Sequence, residues 1–267
     1  MTDIKLIIFD IDGTLIKVGR HRIEPSAVEA IRAIKAKGIK VLIATGRTLY
    51  FVNPHVREVV DSDYYVTVNG HCLMDREGKI LVRQDLPIEA VKRMHAFCVE
   101  HDIALGMKCS DAIYVTHNFK RYYETYSEGK DVRSIILDDT IHADHYLNVE
   151  APMGLFLIGN LEVLKENAAL FPEFTFSPAK PGCMDAYGHD VNKTKIIEEV
   201  LHRHNIPWEQ VMAFGDGEND KEMLRKAGYG IAMGNAKPGV QKYADFVTKE
   251  VDEGGIVHAL KHYRILE

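Results

Sequence analysis

The chain has 267 residues, more than one core usually takes, so one large domain and two smaller ones are both open. Its 46% hydrophobic, 27% charged and 9% aromatic content is that of an ordinary globular protein. A formal net charge of -6 argues against broad electrostatic binding to nucleic acid or to an anionic membrane, and no apolar run nears the roughly 20 residues of a spanning helix.

The opening run MTDIKLIIFDIDG is apolar only briefly, is followed at once by acids and has no small-residue cleavage site, which does not fit a signal peptide. Within it, LIIF (6–9) has the continuous apolar pattern of a strand buried on both faces. Pro25 opens the helical stretch PSAVEAIRAIKAKG, with Val28, Ile31 and Ile34 on one face and Gly38 placed to end it. A second buried strand, IKVLIA (39–44), runs into Thr45-Gly46-Arg47. YYVTVNG and CLMDREGKILV read as strands, with a turn near Glu77 and Gly78.

From Leu86 to Cys183 the pattern changes. A helix is expected near EAVKRMHAFCVEH and strands near DAIYVTH, MGLFLIG and EFTFS, with the aromatic and charged run HNFKRYYETYSEGKD between. Alternation then resumes: the helix KTKIIEEVLHRH carries Ile196, Ile197, Val200 and Leu201, VMAFGD (211–216) is a buried strand ending in an acid, ENDKEMLRKAG is a helix closed by Gly228, and YGIAM is another short strand. Alternating strands and helices imply an α/β fold with a Rossmann-like parallel sheet. We therefore expect a core of residues 1–85 and 184–267, with an α+β cap of residues 86–183 inserted into it.

In an open parallel sheet, ligands sit beyond the carboxyl ends of the strands. Asp10 and Asp12 stand there after the first strand, Thr45-Gly46-Arg47 after the second and Asp216 after a later one. Side chains two apart on a strand share a face, so Asp10 and Asp12 would repel unless a cation lies between them. Converging carboxylates make a hard oxygen site suited to Mg²⁺. The Thr45 hydroxyl and the Gly46 backbone N–H can donate to phosphate oxygens, and Lys193 can supply a positive charge. Nucleophile, metal, donors and cation are the parts of a phosphoryl transfer, and one aspartate could itself attack phosphorus.

Taken singly, these residues also fit structural roles as turn, cap or solvated helix residues. A calcium loop of the EF-hand type fits Asp10–Gly13 poorly because its glycine would stand sixth, whereas Gly13 is fourth. The run HNFKRYYETY interleaves basic and aromatic residues, but the acidic balance favours a cap helix or cap surface over nucleic-acid stacking. His189, close to Lys193 in sequence, is a further candidate for the site. Cys72, Cys98, Cys109 and Cys183 form no C-x-x-C pair and have no neighbouring histidine at metal spacing, so we read them as reduced, mostly buried thiols of a cytoplasmic protein.

FDIDGTL, ATGR, Lys193 in DVNKTK, and GDGEND occur in the order of the four motifs of haloacid dehalogenase-like hydrolases, which this chain resembles. The closing run YGIAMGNAKPGVQKYADFVT is similar to that of the Cof-type sugar-phosphate phosphatases, and the inserted middle resembles that subgroup's cap in position and length. The resemblance implies Asp10 as nucleophile and metal ligand. It implies Asp12 as general acid/base that also binds Mg²⁺ through its backbone carbonyl. Thr45, Gly46 and Lys193 would hold the phosphate, Asn219 would reach the substrate, Asp216 would ligate Mg²⁺ and Asp220 would support that shell. Thr194 departs from the subgroup, which usually has glycine after the lysine. The expected substrate is a small phosphorylated metabolite, a sugar phosphate or similar, with the aromatics and cations of 117–133 as candidate contacts. A phosphomutase of the same superfamily and a catalytically idle metabolite-binding protein are the alternatives. Nothing in the sequence sets the oligomeric state.

Overall fold

The computed structural model describes residues 3–127 and 129–267. The chain divides into two compact units, one of residues up to Val82 together with Asn192–Glu267, the other Arg83–Val191. Its strands in chain order are β1 (Leu6–Phe9), β2 (Lys40–Ala44), β3 (Tyr64–Thr67), β4 (Cys72–Asp75) and β5 (Ile80–Arg83). There follow β6 (Ala104–Lys108), β7 (Ile113–His117), β8 (Ile136–Asp138), β9 (Gly154–Ile158), β10 (Phe174–Lys180) and β11 (Cys183–Gly188). The last three are β12 (Val211–Gly215), β13 (Tyr229–Ala232) and β14 (Phe246–Val247).

The first unit is built on an eight-stranded sheet of order β14-β13-β12-β1-β2-β3-β4-β5. Pairing is parallel from β14 through β3 and turns antiparallel at β4. The central strand β1 lies between β2 and β12, with Leu6 opposite both Lys40 and Val211. All four β1 residues are buried, as a strand covered on both faces requires. Leu6 and Ile8 join Leu42, Val66 and Ala213 in a core filled by Ile196, Ile197, Val200 and Leu201 of the helix Lys193–His204. Ile7 and Phe9 point the other way, and Phe9 stacks on Phe214 with ring centroids 5.0 Å apart. On the helix Pro25–Ala36, Ile31 and Ile34 are fully buried as the spacing anticipates, whereas Val28 sits at the margin.

The helix Lys193–His204 begins where its sequence says it can. Asn192 caps it, its side chain accepting from the Lys195 N–H at 2.9 Å. Asn205 closes it in the left-handed conformation at φ 53°. Gly70, at φ +107°, lets the turn after β3 run against this start, since a Cβ there would lie 2.3 Å from the Asn192 carbonyl oxygen.

The second unit carries a six-stranded sheet of order β10-β11-β9-β6-β7-β8. Met94 and Phe97 of the helix Ile88–Glu100 pack with Leu105, Met107, Leu155, Leu157, Met184 and Ala186 on one face. The run HNFKRYYETY supplies the helix Phe119–Ser127, whose Tyr122 is fully buried. Tyr122 lies over Gly106, where a Cβ would fall 2.3 Å from the ring. Gly106→Ala is therefore expected to destabilise the protein by about 1–3 kcal/mol through overpacking, read as a lower midpoint in urea unfolding.

β11 and β6 are among the elements that differ from the sequence reading. β11 straddles the boundary drawn at 183/184, because Cys183–Gly188 pairs with both β9 and β10; the second unit thus extends to Val191. β6, ALGMK, has a composition closer to a helix than to a strand and is specified by its pairing with β7 and β9.

Candidate active site

Of the residues singled out beyond the strand ends in the first unit, Asp10 and Asp216 come together with Asp220 around Lys193. Asp10 follows β1 and is 6% exposed; Lys193 and Asp220 are 1% and 0% exposed. The Lys193 ammonium donates to Asp10 Oδ1 and to Asp220 Oδ1, each at 2.7 Å. Asp220 is in turn fixed by the turn after β12: its Oδ2 accepts the backbone N–H of Asp216 at 3.1 Å and of Gly217 at 3.0 Å. Both Asp220 oxygens are thus engaged, which fixes the carboxylate in place.

Asp216, half-buried after β12, accepts from the Thr14 hydroxyl at 3.0 Å. Asn235, after β13, donates to the Gly13 carbonyl at 2.8 Å and reaches Asp216 Oδ2 at 3.4 Å. Gly13 is at φ +88°, and a Cβ there would lie 2.1 Å from Asp216 Oδ2, so this turn fits against the carboxylate only as glycine.

Asp12 corrects an expectation. β1 ends at Phe9, so the strand alternation that would place Asp10 and Asp12 on one face does not extend to them. Asp10 turns inward to Lys193, whereas Asp12 is exposed and held by Arg47 through two bonds of 2.7 Å, Nε to Oδ2 and Nη2 to Oδ1. Each carboxylate has its own cation.

Thr45 is buried after β2; its backbone N–H donates to the Val66 carbonyl at 2.8 Å, and its Oγ1 accepts the Arg47 N–H at 3.2 Å. Gly46 adjoins Asn69, a left-handed residue (φ 56°) after β3, whose Oδ1 accepts from Asn219 Nδ2 at 2.8 Å. His189 lies in the second unit, exposed, with Nδ1 3.4 Å from Thr175 Oγ1.

Oxygens of Asp10, Asp216 and Asp220 all lie within 4.8 Å of one another. Three acids against one lysine leave an excess of negative charge. Burial holds the Asp10 carboxyl well above its ordinary range against the pull of Lys193, with Asp220, Asp216 and Asp12 adding to the rise. Burial, then Asp220, pushes Asp216 up to about 6. Burial alone would lower the Lys193 ammonium, but Asp10 and Asp220 outweigh it and hold it above its ordinary value. A hard divalent cation would relieve this repulsion, and the oxygen-only donor set suits Mg²⁺.

A model of the haloacid dehalogenase-like hydrolases matches residues 7–260. The chain belongs to that family. YkrA of Bacillus subtilis is 31% identical to this hydrolase over 265 residues, 99% of this chain and 100% of that protein. The 5-amino-6-(5-phospho-D-ribitylamino)uracil phosphatase YcsE of the same organism is 28% identical over 269 residues, 98% of this chain and 96% of that one. The solved structure of the subclass IIB sugar phosphatase BT4131 shares 33% identity at a TM-score of 0.86, covering 98% of this chain and all of that one. This haloacid dehalogenase-like hydrolase is of the Cof type and is a phosphoric monoester hydrolase.

Four polar residues of this hydrolase stand at the site without having been given a role from sequence: Thr14, Arg47, Asn69 and Asn235. Thr14 and Arg47 lie inside the motifs FDIDGTL and ATGR. Asn69 and Asn235 follow β3 and β13, and the rule that points to Asp10 and Asp216, polar residues just beyond parallel strands, could have found both.

Proposed function

We propose that this hydrolase is a Mg²⁺-dependent phosphatase of small phosphorylated metabolites, sugar phosphates or similar, working through an aspartyl-phosphate on Asp10. The observation that carries this reading is the buried Lys193–Asp10 contact with Asp216 beside it at the strand ends.

An Asp10 carboxylate oxygen attacks phosphorus and the bond to the leaving oxygen breaks, Asp12 giving that oxygen its proton. Water then attacks phosphorus, Asp12 takes the water's proton, and phosphate departs as the Asp10 carboxylate is restored. Serving the leaving group requires Asp12 to release at least one of its bonds to Arg47. Thr45 and the Gly46 N–H receive the phosphoryl oxygens, Lys193 holds Asp10 in line and offsets charge, and Asn219 reaches the substrate. Mg²⁺ held by Asp10, Asp216 and the Asp12 carbonyl would supply Lewis-acid stabilisation of the phosphoryl oxygens. The unit Arg83–Val191 would set substrate choice, a role supported by its position as an insertion between the second and third motifs. Four buried, unbridged cysteines support a reducing, cytoplasmic setting. Among the described residues no helix is long and apolar enough to cross a membrane.

The test is phosphate release from a panel of sugar phosphates, nucleotides and para-nitrophenyl phosphate, with Mg²⁺ and with chelator. Release that needs Mg²⁺ is expected. Silence across the panel would overturn the reading, and sugar-phosphate isomers formed without free phosphate would replace it with a mutase.

A second measurement checks the metal site itself. An Asp216 carboxyl raised from 3.8 to about 6 binds its proton more tightly in the folded state. Its contribution to stability therefore falls as pH rises through that window. In chelator, Asp216→Asn is expected to be more stable than wild type above about pH 6, by on the order of 1 kcal/mol, the gain vanishing as pH falls towards 4. Added Mg²⁺ at pH 7 should raise the melting temperature of wild type more than that of the variant.

A further inference from the structure

The second unit holds a cluster of different chemistry. Cys109 Sγ, a ring nitrogen of His145 and a carboxylate oxygen of Glu150 all lie within 4.8 Å of one another. Cys109 sits in the turn from β6 to β7, its N–H bonded to the Ala112 carbonyl at 3.0 Å. His145 and Glu150 come from the segment leading into β9. Cys109 is remote in sequence from His145 and Glu150, which is why inspection of cysteine spacing passes over the cluster.

Two observations set the cluster apart from an ordinary polar contact. His145 Nε2 is buried and has no hydrogen-bond partner among the described residues, and a buried ring nitrogen left so needs an explanation. The imidazole plane is fixed by stacking on Tyr114, with ring centroids 3.4 Å apart and planes 12° from parallel.

The carboxylate is also prepared. Glu150 Oε1 accepts from Arg83 Nη1 and from the Ser110 N–H, and its Oε2 accepts from the Ser110 hydroxyl at 2.8 Å. That uses three of roughly four lone-pair sites, orients the group and leaves one. Asp85, Asp111 and Glu150 act on Cys109 together with the cation Arg83, so the acids among these neighbours outnumber the base and favour a positive ligand.

We propose that Cys109, His145 and Glu150 bind a borderline-soft divalent transition metal of the Zn²⁺ class, separate in donor chemistry from the oxygen-only aspartate site. Thiolate, imidazole and carboxylate are the donors such an ion takes, with a fourth position left for water. In a tetrahedral shell these atoms stand about 3.5 Å apart, so rotamer adjustment closes the cluster around an ion. Binding forms the metal–sulfur bond and releases the Cys109 proton to solvent.

The test is titration of the metal-free full chain with Co²⁺ alone, followed by Zn²⁺ competition. A thiolate-to-cobalt absorption band saturating at one Co²⁺ per chain and bleached by Zn²⁺ is expected, and it should disappear in both Cys109→Ser and His145→Phe, the latter keeping a ring against Tyr114. The aspartate site has no sulfur and adds nothing to this band. Absence of the band in wild type overturns the proposal without recourse to any variant. Persistence of the band in either variant, with circular dichroism showing that variant folded, overturns it as well.

Discussion

Asp10→Asn should abolish turnover while leaving the protein folded, with phosphate release falling by on the order of 10⁴-fold or more. The amide keeps the size of the carboxylate and still offers Lys193 an oxygen, but it cannot attack phosphorus at a useful rate. Stability should move the other way. Asp10 is a buried acid pressed by Asp220, Asp216 and Asp12, with Lys193 opposing that pressure. Removing its charge in chelator should therefore hold or raise the melting temperature at neutral pH, with the gain fading under acid as wild-type Asp10 takes up its proton. Phosphate assays and thermal melts on the same preparation check both halves. A melting temperature well below wild type would mean that the Lys193 contact outweighs the carboxylate repulsion.

Lys193→Met carries the largest expected loss of stability. The lysine side chain is fully buried between Asp10 and Asp220, and methionine fills similar space without charge. Two buried carboxylates would then face each other with no cation. Breaking a buried ion pair from one side typically costs about 3–5 kcal/mol. Urea unfolding in chelator reads this loss, and release of phosphate should cease as well. The double variant Lys193→Met, Asp220→Asn should recover part of the stability. An asparagine at 220 keeps an oxygen for the Asp216 and Gly217 N–H groups and turns an amide donor towards Asp10. Recovery beyond the sum of the single effects would measure the coupling directly. Equal midpoints for wild type and Lys193→Met would show that both acids are already neutral in the folded protein.

Much of the site was legible because strand ends are legible. LIIF, KVLIA and VMAFG announce themselves as buried strands, and the first polar residues after them, Asp10, Thr45 and Asp216, follow from that alone. What escaped depends on where a strand stops and how a turn bends. The Asp10–Asp12 alternation required β1 to continue three residues further than it does, and the Arg47 pairing of Asp12 depends on the turn after β2. Asn69 could be placed after β3 by the same strand-end rule, but its contact with Asn219 depends on a left-handed backbone angle that no pattern of apolar residues encodes. In the second unit, β6 and β11 are strands mainly because their neighbours pair with them, so local composition left both out.

The place of β1 has a consequence for the birth of the protein. Its partner β12 is synthesised roughly 200 residues later, since Leu6 pairs with Val211. At ribosomal speeds of about 5–20 residues per second, one edge of an entirely apolar strand waits ten seconds or more for its neighbour. The continuous stretch Arg83–Val191 can complete its own sheet in that interval, but the first unit cannot. An unpaired apolar edge is a template for aggregation, so the nascent first unit is the stage at which this protein most needs a chaperone.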